Sequence, residues 1–217
     1  MYTLRPTDKA GYLDTTKTDL NLKNWPASEP IGEKWTRLEA KLKDAEKGYV
    51  TDLTQVLANP ACMVFSERAM EETQREGFVT EEWLPVVASD RAMWLLHLLR
   101  VVDALDDKKT TVRKFKKSGR TGAIKQHAFK PNMVPSTTLF TAKNDVRHQV
   151  FCTDNFKQFV QERQWKGFSF FPVWDDKHEP FSRFPSRDEI RSRPEIFGPD
   201  GFVGGYEGAW PEEWKSK

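Results

Sequence analysis

The chain has 217 residues, enough for one large core or two small ones. Apolar residues make up only 38%, but fifteen Phe and eight Trp compensate, because each buried aromatic removes a large area from water. The net charge of +2 selects no partner class, no run approaches the ~18 apolar residues of a membrane span, and two separated cysteines make no disulfide framework.

In chain order, the sequence begins without a cationic-then-apolar leader signal. Tyr2-Thr3-Leu4 reads as an edge strand in an otherwise irregular arm, residues 1–34, with Pro26 and Pro30 flanking a turn. Residues 35–47 fit two patterns. Trp35, Leu38, Leu42 and Ala45 make a helix face, and Leu38, Ala40 and Leu42 alternate as a strand would.

One pattern then occurs twice. Met63-Val64-Phe65 predicts a strand, Ser66 a helix cap, Glu67 a favourable charge at the positive helix end, Gly77 a helix stop and Trp83-Leu84-Pro85-Val86 a second strand. Val150-Phe151, Thr153, Asp154, Gly167 and Phe170-Phe171-Pro172-Val173 repeat it, with Phe156, Phe159 and Val160 on one helix face. Each proline lies 19 residues beyond its cap. Between the copies, residues 92–102 are the most apolar segment, readable as a helix or as a strand covered on both faces. The expected fold is α+β: a mixed, mostly antiparallel sheet with two helices starting near Ser66 and Thr153. Its main body spans residues 35–174. A Pro-, Gly- and Arg-rich tail, 175–217, is expected to pack on that body with little regular structure.

The reactive residue types form no constellation. His97, His127, His148 and His178 are scattered, and His97 reads as a satisfied core histidine. Asp103, Asp106 and Asp107 lack calcium-loop spacing. Gly201, Gly204, Gly205 and Gly208 lack the strand and helix of a dinucleotide cradle. Cys62 and Cys152 read as buried free thiols of a reducing compartment. No catalytic residue, metal ligand or cofactor is expected.

Charge supplies the one binding feature. From Lys108 to Asn144 there are ten Lys and Arg and no acidic residue. Ser118 to Gly122 reads as the turn of a hairpin whose inward residues include Val112, Phe115, Ile124 and Phe129. Ten uncompensated cations make a local positive field. The candidate partner-binding residues are Arg113, Lys114, Lys116, Lys117 and Arg120 on this hairpin, with Trp174, Asp175 and Asp176 at the far corner of the body. A nucleic-acid-binding module using residues 108–143 is the alternative, outweighed because no nucleic-acid motif accompanies the charge.

Five segments together resemble a known family. They are Met63-Val64-Phe65-Ser66-Glu67-Arg68, Trp83-Leu84-Pro85-Val86, Val102-Asp103-Ala104-Leu105-Asp106, Val150-Phe151-Cys152-Thr153-Asp154 and Lys166-Gly167-Phe168-Ser169-Phe170. In this order they resemble the eleventh immunity-protein family of bacterial polymorphic toxin systems, a former domain of unknown function from myxobacteria and other proteobacteria. Lys166 stands where that family usually has Thr, and the basic hairpin has no place in its pattern. The resemblance covers roughly residues 50–175. It tilts residues 35–47 toward strand. It also implies a cytoplasmic toxin inhibitor of interbacterial competition, bound to a cognate toxin domain without catalysis. The oligomeric state stays open.

Overall fold

The structure, a computed structural model, describes residues 1–15, 29–43, 50–56, 59–79, 81–114, 121–136, 139–145 and 149–177. Most early strands close into a barrel. β2 (Tyr12–Asp14), β3 (Leu38–Lys43), β4 (Leu53–Val56), β5 (Asn59–Ser66), β6 (Glu82–Ala88) and β7 (Arg91–His97) follow the circular order β2-β3-β6-β7-β5-β4. The β2–β4 and β3–β6 pairs are parallel and the rest antiparallel. Closure leaves these strands no free edge.

The barrel wall explains why β7 reads as a nearly continuous apolar run. Successive side chains of a strand point to opposite faces. Cys62, Val64, Leu84, Val86, Met93 and Leu95 fill the barrel, while Met63, Phe65 and Leu96 face outward. That outer face is covered too: Phe65 meets Trp83 at 5.1 Å and Phe168 at 5.6 Å between ring centroids. Residues 35–47 are therefore strand at Leu38–Lys43. The apolar run at 92–102 is also strand, split between β7 and the two-residue β8 (Val101–Val102).

The covering layer contains α1 (Glu67–Arg75), α2 (Asp154–Glu162) and a three-stranded sheet. That sheet has the order β12 (Phe151–Cys152), β1 (Tyr2–Pro6), β13 (Phe168–Pro172). The irregular-arm expectation is corrected at its start. Tyr2–Pro6 is the central strand, because its two neighbours bury it on both edges, and Tyr12–Asp14 is a barrel stave.

The doubled sequence pattern is a doubled structure. In the first copy α1 links β5 to β6, with β7 antiparallel between them. In the second α2 links β12 to β13, with β1 antiparallel between them. Each helix ends in a Schellman turn. Phe78 N–H donates to Thr73 O at 3.1 Å, and Trp165 N–H to Val160 O at 3.2 Å. The left-handed residues are Gly77 (φ +74°) and Gln164 (φ +54°), each eleven residues beyond its cap. Gln164, not Gly167, therefore ends α2. Arg163 Nη2 lies 3.3 Å from Glu76 Oε1. These two residues hold matching positions in the two copies, so the contact joins the C-terminal ends of α1 and α2.

The caps differ. Ser66 Oγ accepts from Ala69 N–H at 3.3 Å. Thr153 occupies the cap position, but its hydroxyl donates to Ser136 O at 3.0 Å instead. Asp52 ties the copies together. Its carboxylate accepts from Ser66 Oγ (2.8 Å), Arg68 Nη2 (2.7 Å) and Lys166 N–H (2.9 Å), and its own N–H donates to Lys166 O at 2.8 Å.

Ile31 and Trp35 pack against the barrel core, held by a clasp at Glu82. Its carboxylate accepts from Ile31 N–H at 2.9 Å and from Gly32 N–H, and contacts His97 Nδ1 at 2.8 Å. Trp35 Nε1–H donates to Pro85 O at 3.0 Å. Partial burial of Glu82 favours its protonated form, but the bonds from His97, Ile31 and Gly32 outweigh that and leave its carboxyl below the usual 4.5. A depressed folded value means that the clasp contributes fully above pH 4.5 and is lost as pH falls through the folded value. Glu82→Gln is expected to lower stability by roughly 1–2 kcal/mol at pH 7. Urea melts of both proteins should show the difference shrinking below pH 4.5; an unchanged gap would exclude the clasp as its cause.

Candidate functional site

A third apolar cluster, which shares Phe151 of β12 with the covering layer, carries the charged segment. Ala104, Leu105, Ile124, Phe129, Phe140 and Val173 are buried in it, and Val102, Val112, Val134 and Trp174 close its rim. β9 (Thr111–Lys114) and β10 (Thr121–Gln126) form an antiparallel hairpin over it, with Val112 opposite Ile124. Alternation sends Val112 and Ile124 inward and Arg113 outward. β11 (Thr141–Ala142) runs parallel to β8.

The structure brings some candidate residues onto one scaffold. Arg113 is exposed, and Lys114 ends β9 opposite Thr121. Lys116, Lys117, Arg120 and Phe115 lie outside the described residues. Trp174 is half-buried, its ring 5.7 Å from Phe129, so the far corner shares its core with the hairpin. Asp175 accepts from Lys177 N–H at 2.8 Å, which fixes the turn, and Asp176 is exposed. Of the other cations, Lys130 and Lys143 approach Asp103 at 3.5 and 4.0 Å, while Lys108, Lys109 and Lys125 are exposed.

The described aromatics of this segment, Phe129 and Phe140, face inward. Phe129 is 3% exposed and packs on Phe151 at 5.3 Å and Phe140 at 6.3 Å. A ring so enclosed offers no face to a base. His127 lies in the same stack, 6.0 Å from Phe129.

Among the described residues, the other groups singled out in the sequence are engaged in structural contacts. His97 pairs with Glu82, and Asp106 Oδ1 accepts from Lys108 N–H at 3.0 Å within its turn. Burial pushes both thiols, Cys62 and Cys152, up to about 12, which makes them poor nucleophiles. Lys157 Nζ lies 3.3 Å from Tyr2 Oη, which donates to Asp154 at 2.8 Å. Desolvation lowers the lysine and raises the phenol, and the trio binds β1 to the start of α2. Among the described residues no group of three or more His, Cys, Asp or Glu could hold a metal ion, and no helix is long and apolar enough to cross a membrane. His148, His178 and the glycines beyond residue 200 lie outside the described residues.

Sequence reasoning missed two exposed apolar side chains on this cluster, Val101 (38%) and Met133 (44%). Val101 ends an apolar run and reads as core from sequence, so no sequence signal marks it.

Residues 88–175 match the immunity protein family Imm11, the family that the sequence resembles. The match begins at the end of β6 and takes in the third cluster and α2. The resembling segments at 63–68 and 83–86 precede it. No curated protein matches the chain.

Proposed function

We propose that this chain neutralises a bacterial toxin by tight stoichiometric binding, in the cytoplasm of the cell that carries both genes, without performing chemistry itself. The observation that carries this reading is the immunity-family match over residues 88–175, which contains the whole basic segment and all of the cluster beneath it except Met1. The described surface supports it: among the described residues the reactive groups are engaged in packing or turns, and Arg113 and Lys125 lie exposed on strands that cover a buried apolar cluster. Protection by binding needs nanomolar affinity, about −12 kcal/mol, and an ordinary interface of about 1,600 Å² supplies it when well matched.

In this proposal the hairpin (Arg113, Lys114, Lys116, Lys117, Arg120) and the Trp174-Asp175-Asp176 corner contact the toxin, and the hairpin meets an acidic surface. Reversing the five hairpin cations to Glu is expected to weaken toxin binding more than about tenfold, mostly through slower association. Isothermal titration with a candidate cognate toxin domain measures it, and unchanged affinity would remove the hairpin from the interface. The nucleic-acid alternative loses support from the burial of Phe129, since stacking platforms must be exposed.

A further inference from the structure

We infer that Lys157 is an acylation site: its side-chain amine takes an acyl group from a neutral thioester, and the acylated form loosens β1 from α2. This goes beyond the immunity reading and does not rest on it.

The groups around the Lys157 amine make the site. Its Nζ lies 4.4 Å from the centroid of the Tyr2 ring and donates to Tyr2 Oη at 3.3 Å. Tyr2 Oη donates in turn to Asp154 Oδ1 at 2.8 Å, and the Tyr2 ring meets Phe170 edge-on at 6.2 Å. The phenol is held at both ends, and it holds the amine. The ring face keeps water from one side of Nζ, while the side chain as a whole stays partly exposed. Lys157 also stands in the first turn of α2, its N–H donating to Thr153 O at 3.3 Å, and there the helix dipole opposes a cation. Desolvation brings the amine below its ordinary 10.5 in spite of Asp154, whose charge acts the other way.

An ordinary exposed lysine is almost wholly protonated near neutral pH and has no lone pair to offer, and each unit by which its pKa falls raises the free amine tenfold. A desolvated amine oriented by a neighbouring group is the arrangement of a nucleophilic lysine. Nζ attacks the thioester carbonyl carbon. The N–C bond forms, the C–S bond breaks, and the thiolate leaves with the proton that the amine releases. Asp154, joined to Nζ through the phenol, disfavours an anionic acyl phosphate, so the donor that fits is uncharged. The product is a neutral amide, which loses the attraction of a cation to the Tyr2 ring. That loss matters because no turn joins β1 to either neighbour. In the first copy the middle strand β7 is tied to β6 by the two-residue turn Ser89-Asp90, at φ +48° and +71°. In the second, β1 meets β12 and β13 from about 150 residues away.

The test is direct acylation of the folded wild-type chain with S-acetyl-N-acetylcysteamine, a neutral thioester, followed lysine by lysine by peptide mass spectrometry. Lys157 should react at least about fivefold faster than the exposed Lys125 and Lys166, and in concentrated urea the three rates should converge. A Lys157 rate equal to or below theirs in the folded chain overturns the site. A lead that persists in urea assigns the rate to local sequence and overturns it as well. Acetyl phosphate serves as the anionic donor: a smaller lead for Lys157 is expected with it, and an equal or larger lead overturns the choice of a neutral donor. The loosening is read at the Leu4 amide, which donates to Val150 O at 2.9 Å. Lys157→Gln, uncharged like the acylated side chain, should speed its hydrogen exchange at least about threefold, while Lys157→Arg, which keeps the cation, stays near wild type. Equal exchange in Lys157→Gln and wild type overturns the release of β1.

Discussion

Replacing Gly167 with alanine should cost about 3–5 kcal/mol, a large part of a typical domain's stability. Gly167 sits at φ +92°, and a Cβ there would lie 2.1 Å from Thr51 Oγ1 and 2.5 Å from Leu53 O. The second obstacle is backbone of β4, a stave of the closed barrel, so it cannot step aside without disturbing its neighbours. Gly77 is the internal comparison. Its φ is +74°, but a Cβ there would meet nothing within 4 Å, so Gly77→Ala should cost only about 1 kcal/mol of left-handed strain. Urea denaturation of both variants measures the contrast. Equal midpoints would mean that steric approach at Gly167 contributes nothing; poor soluble yield for Gly167→Ala alone would agree with the larger cost.

The second large effect is expected at Asp52. Removing its carboxylate in Asp52→Ala strips the partner from Ser66 Oγ, from the exposed Arg68 guanidinium and from Lys166 N–H. Arg68 is 57% exposed and regains water, so little of the loss arises there. The cost comes from the Lys166 amide and the helix cap, together about 2–4 kcal/mol. Asp52→Asn keeps the shape and one acceptor and should recover about half of that. Because Asp52 joins the first copy to the turn before β13, Asp52→Ala should speed amide exchange in both α1 and β13. Acceleration confined to α1 would show that the junction is only a helix cap.

Much of this architecture was legible because it is local. Ser66, Thr153 and the apolar faces of α1 and α2 announce themselves within a dozen residues, and both helices begin where the sequence places them. The repeat was legible for the same reason. The barrel was not, because it is closed by pairings between distant segments: β2 with β4 and β3 with β6. β7 is largely buried on both faces from Met93 onward, which removes the alternation that separates strand from helix, and residues 92–102 stayed ambiguous for that reason. Tyr2–Pro6 read as an edge because its partners lie about 150 residues away. Gly167 was misread as the helix stop because a glycine is the common left-handed residue. Gln164 takes that role, and Gly167 serves the close approach to β4.

The candidate site was legible in part. The absence of carboxylates from Lys108 to Asn144 is a sequence fact, and the outward placement of Arg113 follows from alternation. The convergence of hairpin and Trp174 corner on one core was not readable, because Phe129 and Trp174 meet only through the fold. Nor was the exposure of Val101, which sits within an apolar run that reads as core.

The most direct test of protection by binding is the stoichiometric end point. Toxin activity is followed while the purified chain is titrated into a fixed amount of a candidate cognate toxin domain. Activity should fall linearly and vanish at one equivalent, with the pair eluting together at the summed mass. Complete loss of activity at a small fraction of one equivalent would mean catalytic inactivation of the toxin. That outcome would contradict the account.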